Sequence, residues 1–235
     1  MEKQFERTAK LIGEENVDML SKKHVAIFGL GGVGGFVADS LARCGVGEFT
    51  LIDNDVVSET NINRQIVAYH STIGMLKTDV LTKHLLDINP NLKINILNMF
   101  VLEDNINDIN FNNFNYVVDA VDTVSAKLAI INKCKNLGID IISSMGTGNK
   151  LNPHLLKICD IFKTSYDPLA KVVRKKLREN NINHLKVLSS DEKTVKVVVE
   201  SEQTNRHSPA SISFIPACAG EMIACEVIND LIKNI

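Results

Sequence analysis

His24-Val-Ala-Ile-Phe28-Gly29-Leu-Gly31-Gly-Val-Gly34-Gly35 is the stretch that decides the fold. Val25 to Phe28 is a short apolar run with two β-branched residues, and Gly29, Gly31 and Gly34 follow at once in the spacing G-x-G-x-x-G. That order predicts a buried strand, a tight turn and a helix opening at Gly32 or Val33. Backbone N–H groups at such a helix start can approach a phosphate closely, and the helix dipole favours its negative charge. Asp53 ends a second apolar run, Phe49 to Ile52, 19 residues beyond Gly34. A carboxylate there can accept hydrogen bonds from ribose hydroxyls, so the two runs together predict a nucleotide site.

Working outward, 235 residues supply enough chain for one large α/β domain or two small ones. With 45% hydrophobic residues, 23% charged residues and a net charge of -2, any contact with nucleic acid must come from a local patch. No apolar run approaches the ~20 residues that span a bilayer, and the N-terminus lacks the apolar core of a signal peptide, which predicts a cytoplasmic protein with no membrane partner. Cys44, Cys134, Cys159, Cys218 and Cys225 are scattered without a C-x-x-C pair. Buried, reduced thiols are expected, Cys218 and Cys225 among them on one helical face, and neither a disulfide framework nor a zinc site is indicated.

Residues 1–22 read as a helical arm with Phe5, Leu11, Ile12, Val17 and Leu20 as its apolar positions, able to pack on another subunit. Residues 23–150 alternate strand and helix. After the glycine turn come a helix Val33 to Cys44, the strand ending at Asp53, a polar connection Asn54 to Gln65 and a helix Met75 to Ile88. Lys77 in the first turn of that helix is out of place unless an anion shares the helix end. Ile94 to Val101 reads as a strand, Glu103 to Asn115 as an Asn-rich surface segment, and Tyr116 to Asp119 as a strand with Asp119 and Asp122 at its C-terminal edge. Helix Val124 to Leu137, strand Ile139 to Ser143 and the turn Met145 to Gly148 follow. Such alternation predicts an α/β fold, a doubly wound Rossmann-like and mostly parallel sheet. Residues 151–235 read as a C-terminal extension continuing the same sheet. Its elements are a strand Lys157 to Phe162, a helix Pro168 to Arg178, a strand Leu185 to Leu188, a polar loop Glu200 to Pro209, then Ser211 to Ile215 and a closing amphipathic helix, Ala217 to Ile232.

Asp53, Asn61, Arg64, Gln65, Lys77 and Asp122 are the polar residues expected around the glycine turn. A hydride-transferring dinucleotide enzyme would use only the glycines and Asp53. Nucleotidyl transfer uses the rest, since two cations offset charge developing on a triphosphate and a carboxylate can hold Mg2+. No G-x-x-x-x-G-K-[ST] loop is present, which excludes a phosphate-loop ATPase.

Gly29-x-Gly31-x-x-Gly34, Asp53-x-Asp55, Asn61-x-x-Arg64-Gln65, Lys77 and Asp122 together resemble the adenylating superfamily of ubiquitin-activating enzymes and their bacterial relatives for thiamin and molybdopterin synthesis. The resemblance implies that the glycines hold ATP, Asp53 binds its ribose, Asn61, Arg64 and Lys77 contact phosphates, and Asp122 binds Mg2+. It also implies a homodimer in which Arg7 from the arm of the partner subunit completes the site. Paired zinc-binding C-x-x-C motifs are missing, and Cys159 is the one cysteine between 150 and 190, which argues against protein thioester transfer. Gly146-Thr-Gly-Asn-Lys150-Leu-x-Pro153, Asp160-Ile-x-Lys-Thr-Ser165-x-Asp-Pro-Leu-Ala170 and Ser208-Pro-x-Ser211-Ile-Ser-Phe-x-Pro216 resemble the branch that dehydrates threonylcarbamoyladenosine in tRNA. That implies ATP-dependent activation of the threonyl carboxylate, through an acyl-adenylate or an acyl phosphate, followed by ring closure.

One feature of the residues agrees with an RNA substrate. Between 163 and 186 there are seven Lys/Arg against two acids. On a helix advancing about 100° per residue, Lys171, Arg174, Lys175 and Arg178 share one face and Leu169, Val172, Val173 and Leu177 the other, with Lys176 inside the apolar arc. With Lys163 this stripe is a candidate phosphate-backbone track. The rival readings are adenylation of a ubiquitin-like sulfur-carrier protein, a nicotinamide-dependent enzyme, and a nucleotide-gated tRNA-binding protein without catalysis.

Overall fold

In a computed structural model of the chain, residues 2–193 and 209–232 are described. Among these residues, seven strands form one sheet: β1 (His24–Phe28), β2 (Glu48–Ile52), β3 (Lys93–Leu97), β4 (Tyr116–Asp119), β5 (Ile141–Ser144), β6 (Leu156–Asp160) and β7 (Lys186–Ser190). Their order is β3-β2-β1-β4-β5-β7-β6, parallel throughout except for the antiparallel β6–β7 pair. The order reverses between β1 and β4, the switch point where open parallel sheets leave a crevice at their C-terminal edge.

All five residues of β1 are buried because helices cover both faces of the sheet. Val25 and Ile27 join one core layer with Val37 and Leu41 of α3 (Gly34–Cys44), Leu81 of α4 (Lys77–Ile88) and Ile223 and Val227 of α7 (Phe214–Ile232). Ala26 and Phe28 point the other way, into a layer with Ile130 of α5 (Val124–Leu137) and Val173 and Leu177 of α6 (Pro168–Glu179). The C-terminal part extends the sheet through β7 and β6, and α7 returns to pack on α3.

Several expectations are corrected. The arm is not one helix. Gly13, at φ 91°, separates α1 (Glu6–Ile12) from α2 (Glu14–Leu20), and Leu11 is exposed. The glycine-turn helix opens at Gly34, one or two residues late. β3 stops at Leu97, four residues early, and β6 ends at Asp160. Residues 103–115 are not surface filler: Ile106, Ile109, Phe111 and Phe114 are buried, and Phe111 stacks on Phe28 with ring centroids 5.7 Å apart. Asn residues supply the turns between these anchors, as where Asn110 Oδ1 accepts from Asn112 N. On α6, Val172 and Lys176 are exposed, Lys176 pairs with Glu179, and Ala170, Val173 and Leu177 are the buried positions. Cys134 is buried as expected, whereas Cys225 is exposed. The loop expected from Glu200 to Pro209 lies outside the described residues apart from Pro209. Among the described residues no helix is long and apolar enough to cross a membrane.

Candidate active site

The C-terminal ends of β1, β2, β4 and β5 surround a cavity of about 800 Å3. Gly29, Gly31, Asp53, Asp55, Asn61, Arg64, Gln65, Lys77 and Asp122 all line it. Gly34 does not, because its place is beneath the turn. A Cβ there would lie 1.9 Å from the Gly29 carbonyl oxygen, and a Cβ on Gly29, at φ 85°, would lie 2.8 Å from Ala120 O. These two glycines let the turn fold tightly against β4. At Gly31 the nearest neighbour of an added Cβ is the Gln65 amide at 3.7 Å, so the backbone faces the cavity with little in the way.

Asp53 does more than the sequence suggests. Its Oδ2 accepts from Leu30 N at 2.7 Å and its Oδ1 from Asp55 N at 2.8 Å, clamping the glycine turn to the segment after β2. Each oxygen keeps a further lone pair for a ligand. Asn61 closes its own short turn by accepting from Ser58 N at 3.1 Å. Arg64 donates through one guanidinium nitrogen, Nη1, to Thr60 O at 2.9 Å and Asn63 Oδ1 at 2.8 Å, which leaves Nε and Nη2 as further donors. Among the described residues, Gln65 Oε1 is buried without a hydrogen-bond partner. The misplaced cation is also explained: Lys77, 5% exposed at the start of α4, donates to Asp55 Oδ2 at 2.7 Å.

Beneath the cavity floor lies a group that the sequence reading missed. Lys127 Nζ, fully buried, donates to Asp119 Oδ2 at 2.8 Å and to Ser144 O at 3.0 Å, and Ser143 Oγ donates to the same Asp119 oxygen at 2.7 Å. Burial pushes the Asp119 carboxyl above the usual range, while Lys127 and Ser143 pull it back. The cluster ties β4, β5 and α5 together, and Ala126 and Ser144 beside it line the cavity. Its signal in the sequence is a lysine spaced three and four residues from Ile130 and Ile131, inside an apolar stripe. Met99, Phe100 and Val101, assigned to a strand by their sequence, instead form part of the cavity wall, and Pro209 and Ser211 in the segment before α7 and Pro216 in its first turn border it. Asp167 caps α6 by accepting from Ala170 N at 3.0 Å and accepts from Gly146 N at 3.0 Å.

The remaining predicted residues lie elsewhere. Arg7 is exposed on α1, and Phe5 and Val17 of the arm sit against Gly45 at the C-terminal end of α3, across the sheet from the cavity. Arg7 is not among the residues that line the cavity. Lys163, Lys171, Lys175 and Arg178 are exposed, with Arg178 5.3 Å above the Phe162 ring. Arg174 departs from the expected basic face, since it turns inward to Ile161 O at 3.2 Å, Thr164 O at 2.9 Å and Thr164 Oγ1.

These residues fit a nucleoside triphosphate. The cavity has the volume of a small-molecule site, the open backbone of the glycine turn suits phosphate, and the orphaned Gln65 oxygen calls for a donor from a ligand. Asp122 is exposed at the rim, and among the described residues no group of three His, Cys, Asp or Glu could cage a metal. One carboxylate completed by phosphate oxygens and water is the usual way to hold Mg2+.

Comparison with known proteins agrees with this architecture. The profile of the ThiF family matches residues 5–234. The tRNA threonylcarbamoyladenosine dehydratase of Bacillus subtilis is 40% identical, covering 99% of this chain and 96% of its own. Crystal structures of the Escherichia coli tRNA N6-threonylcarbamoyladenosine dehydratase with ATP and with AMP each superpose with a TM-score of 0.89 at 29% identity, covering 98% of this chain and 94% of theirs. With the glycine-turn cavity at the switch point of its sheet, this chain belongs to the ThiF family.

Proposed function

We propose that this protein is an ATP-dependent dehydratase of threonylcarbamoyladenosine in tRNA. The observation that carries this is the convergence of Arg64, Lys77 and Asp122 on one glycine-turn cavity in a chain whose full-length relative is such a dehydratase. A threonyl carboxylate oxygen attacks a phosphorus of ATP, the phosphoanhydride bond at that phosphorus breaks, and pyrophosphate leaves if the intermediate is an acyl-adenylate or ADP if it is an acyl phosphate. The carbamoyl group of the same side chain then attacks the activated carbon, the phosphorylated oxygen leaves, and the ring closes with net loss of one water. The turn from Gly29 to Val33 and Asn61 hold the phosphates, and Asp53 holds the ribose. Arg64 and Lys77 offset the charge that builds on the phosphates, with Lys77 exchanging Asp55 for phosphate. Asp122 would hold Mg2+, which would screen the same charge. The exposed basic residues of α6, with Lys163, support a tRNA-binding face, and a tRNA substrate implies a cytoplasmic enzyme.

The test is to incubate the protein with ATP, Mg2+ and tRNA bearing the modification, then digest and weigh the nucleoside. Loss of one water, requiring ATP and abolished in Asp122→Ala, is the expected result. Unchanged nucleoside together with ATP–pyrophosphate exchange dependent on a ubiquitin-like carrier would replace this function with carrier adenylation. The placement of Arg7 away from its own cavity supports a homodimer with shared sites. Mixing Arg7→Ala and Asp122→Ala subunits is expected to restore part of the activity lost in each, and verified heterodimers without recovery would overturn sharing.

A further inference from the structure

Tyr166 is 57% exposed, yet its backbone lies in the left-handed region at φ 59°. Asn149 and Asn181 share that conformation, but asparagine adopts it readily and a bulky aromatic residue does not. Such strain persists only where the surroundings impose it. Here both neighbours are fastened. Ser165 Oγ donates to Asp191 Oδ1 at 2.9 Å, and the Asp167 carboxylate is held by Gly146 N and Ala170 N. Gly146 and Leu169 line the cavity and Asp167 holds Gly146, so Tyr166 is one residue from a contact with its wall.

The ring has a cation over it, Lys193 Nζ at 5.3 Å from the centroid. That lysine also rests on anchored backbone, because the preceding Glu192 carboxylate accepts from Leu151 N and Asn152 N, each at 2.9 Å. Lys157 joins the group through Asp191 at 2.6 Å, and Lys171, at the head of the α6 basic stripe, lies one turn beyond Asp167. An exposed aromatic ring flanked by lysines, at the end of a basic track and beside a nucleotide cavity, has the composition of a base-stacking site for single-stranded RNA.

We propose that Tyr166 and Lys193 form a platform on which a base of the substrate tRNA stacks, positioning the modified nucleotide at the cavity mouth. The platform rests on the function proposed above, since it names where that substrate is gripped. It makes Tyr166 a positioning residue that acts on RNA binding rather than on ATP.

The experiment measures the Kd of the modified tRNA together with KM and kcat in dehydration for wild type, Tyr166→Ala, Tyr166→Phe and Tyr166→Gly. Tyr166→Ala is expected to weaken tRNA binding about 5- to 150-fold, the value of one stacked base, with KM for ATP unchanged. Tyr166→Phe keeps the ring and should bind as wild type does. Tyr166→Gly relieves the backbone and should unfold at a higher temperature than Tyr166→Ala while binding tRNA equally poorly. Wild-type affinity in Tyr166→Ala, or a Tyr166→Phe variant as weak as Tyr166→Ala, would overturn the platform. So would a wild type that binds no tRNA, or a Tyr166→Ala defect confined to adenylation of a carrier protein. Dehydration fails separately: a wild type that binds tRNA and never dehydrates it overturns the proposed function, and the Kd values still decide the platform.

Discussion

Arg64→Ala is expected to slow dehydration roughly 100- to 1000-fold, the usual cost of removing one fixed donor from charge that develops in a transition state. The guanidinium is pre-set for this role. Its Nη1 is spent on Thr60 O and Asn63 Oδ1, which leaves Nε and Nη2 for the proposed phosphate contact. Lysine lacks the planar fork, and Arg64→Lys should recover only part of the rate. Single-turnover measurements at saturating ATP and tRNA read the effect directly. The melting temperature should barely move, because the bonds Arg64 makes within the protein are exposed. A near-wild-type rate in Arg64→Ala would remove this residue from the chemistry.

Lys127→Met should cost about 3–5 kcal/mol of stability, since it strands a buried carboxylate without its cation. For a chain of this size that corresponds to a fall in Tm of roughly 6–20 °C. The deficit should depend on pH with a definite sign. Asp119 already has a raised pKa when folded, and loss of Lys127 raises it further. Stability from a carboxyl with a raised folded pKa is present below its unfolded value and is lost as pH rises through the folded one. The variant should therefore be closest to wild type near pH 4 and fall behind as pH increases. Adding Asp119→Asn should recover much of the loss at neutral pH. Thermal melts across pH check both statements, and a pH-independent deficit would mean that Asp119 is already protonated in the native protein.

The Lys127 cluster shows where sequence reading stops. G-x-G-x-x-G after an apolar run, with Asp53 beyond the next one, was legible because glycine geometry and strand ends are local properties. So were the α5 and α6 boundaries, where Gly138 and Pro168 carry their own signals. The polar residues Asn61, Arg64, Gln65 and Lys77 could be gathered into one site because a doubly wound sheet brings its strand ends to one edge. Asn-rich composition concealed the buried Ile106 and Phe111, since four apolar anchors among thirteen residues form no periodic pattern.

By itself, the sequence determined the fold class, the nucleotide turn and the set of residues that would meet at the sheet edge, because backbone conformation and hydrophobic period are encoded within short windows. Only the tertiary structure decided pairing. It gave Lys77 to Asp55, Lys127 to Asp119 and Arg174 to Thr164, left Arg7 out of the lining of its own cavity, and put Tyr166 in the left-handed region. Each of these depends on how separate elements pack, even where the partners are only 8 or 10 residues apart, and which charge lies within 3 Å of which is settled only when helices and strands pack.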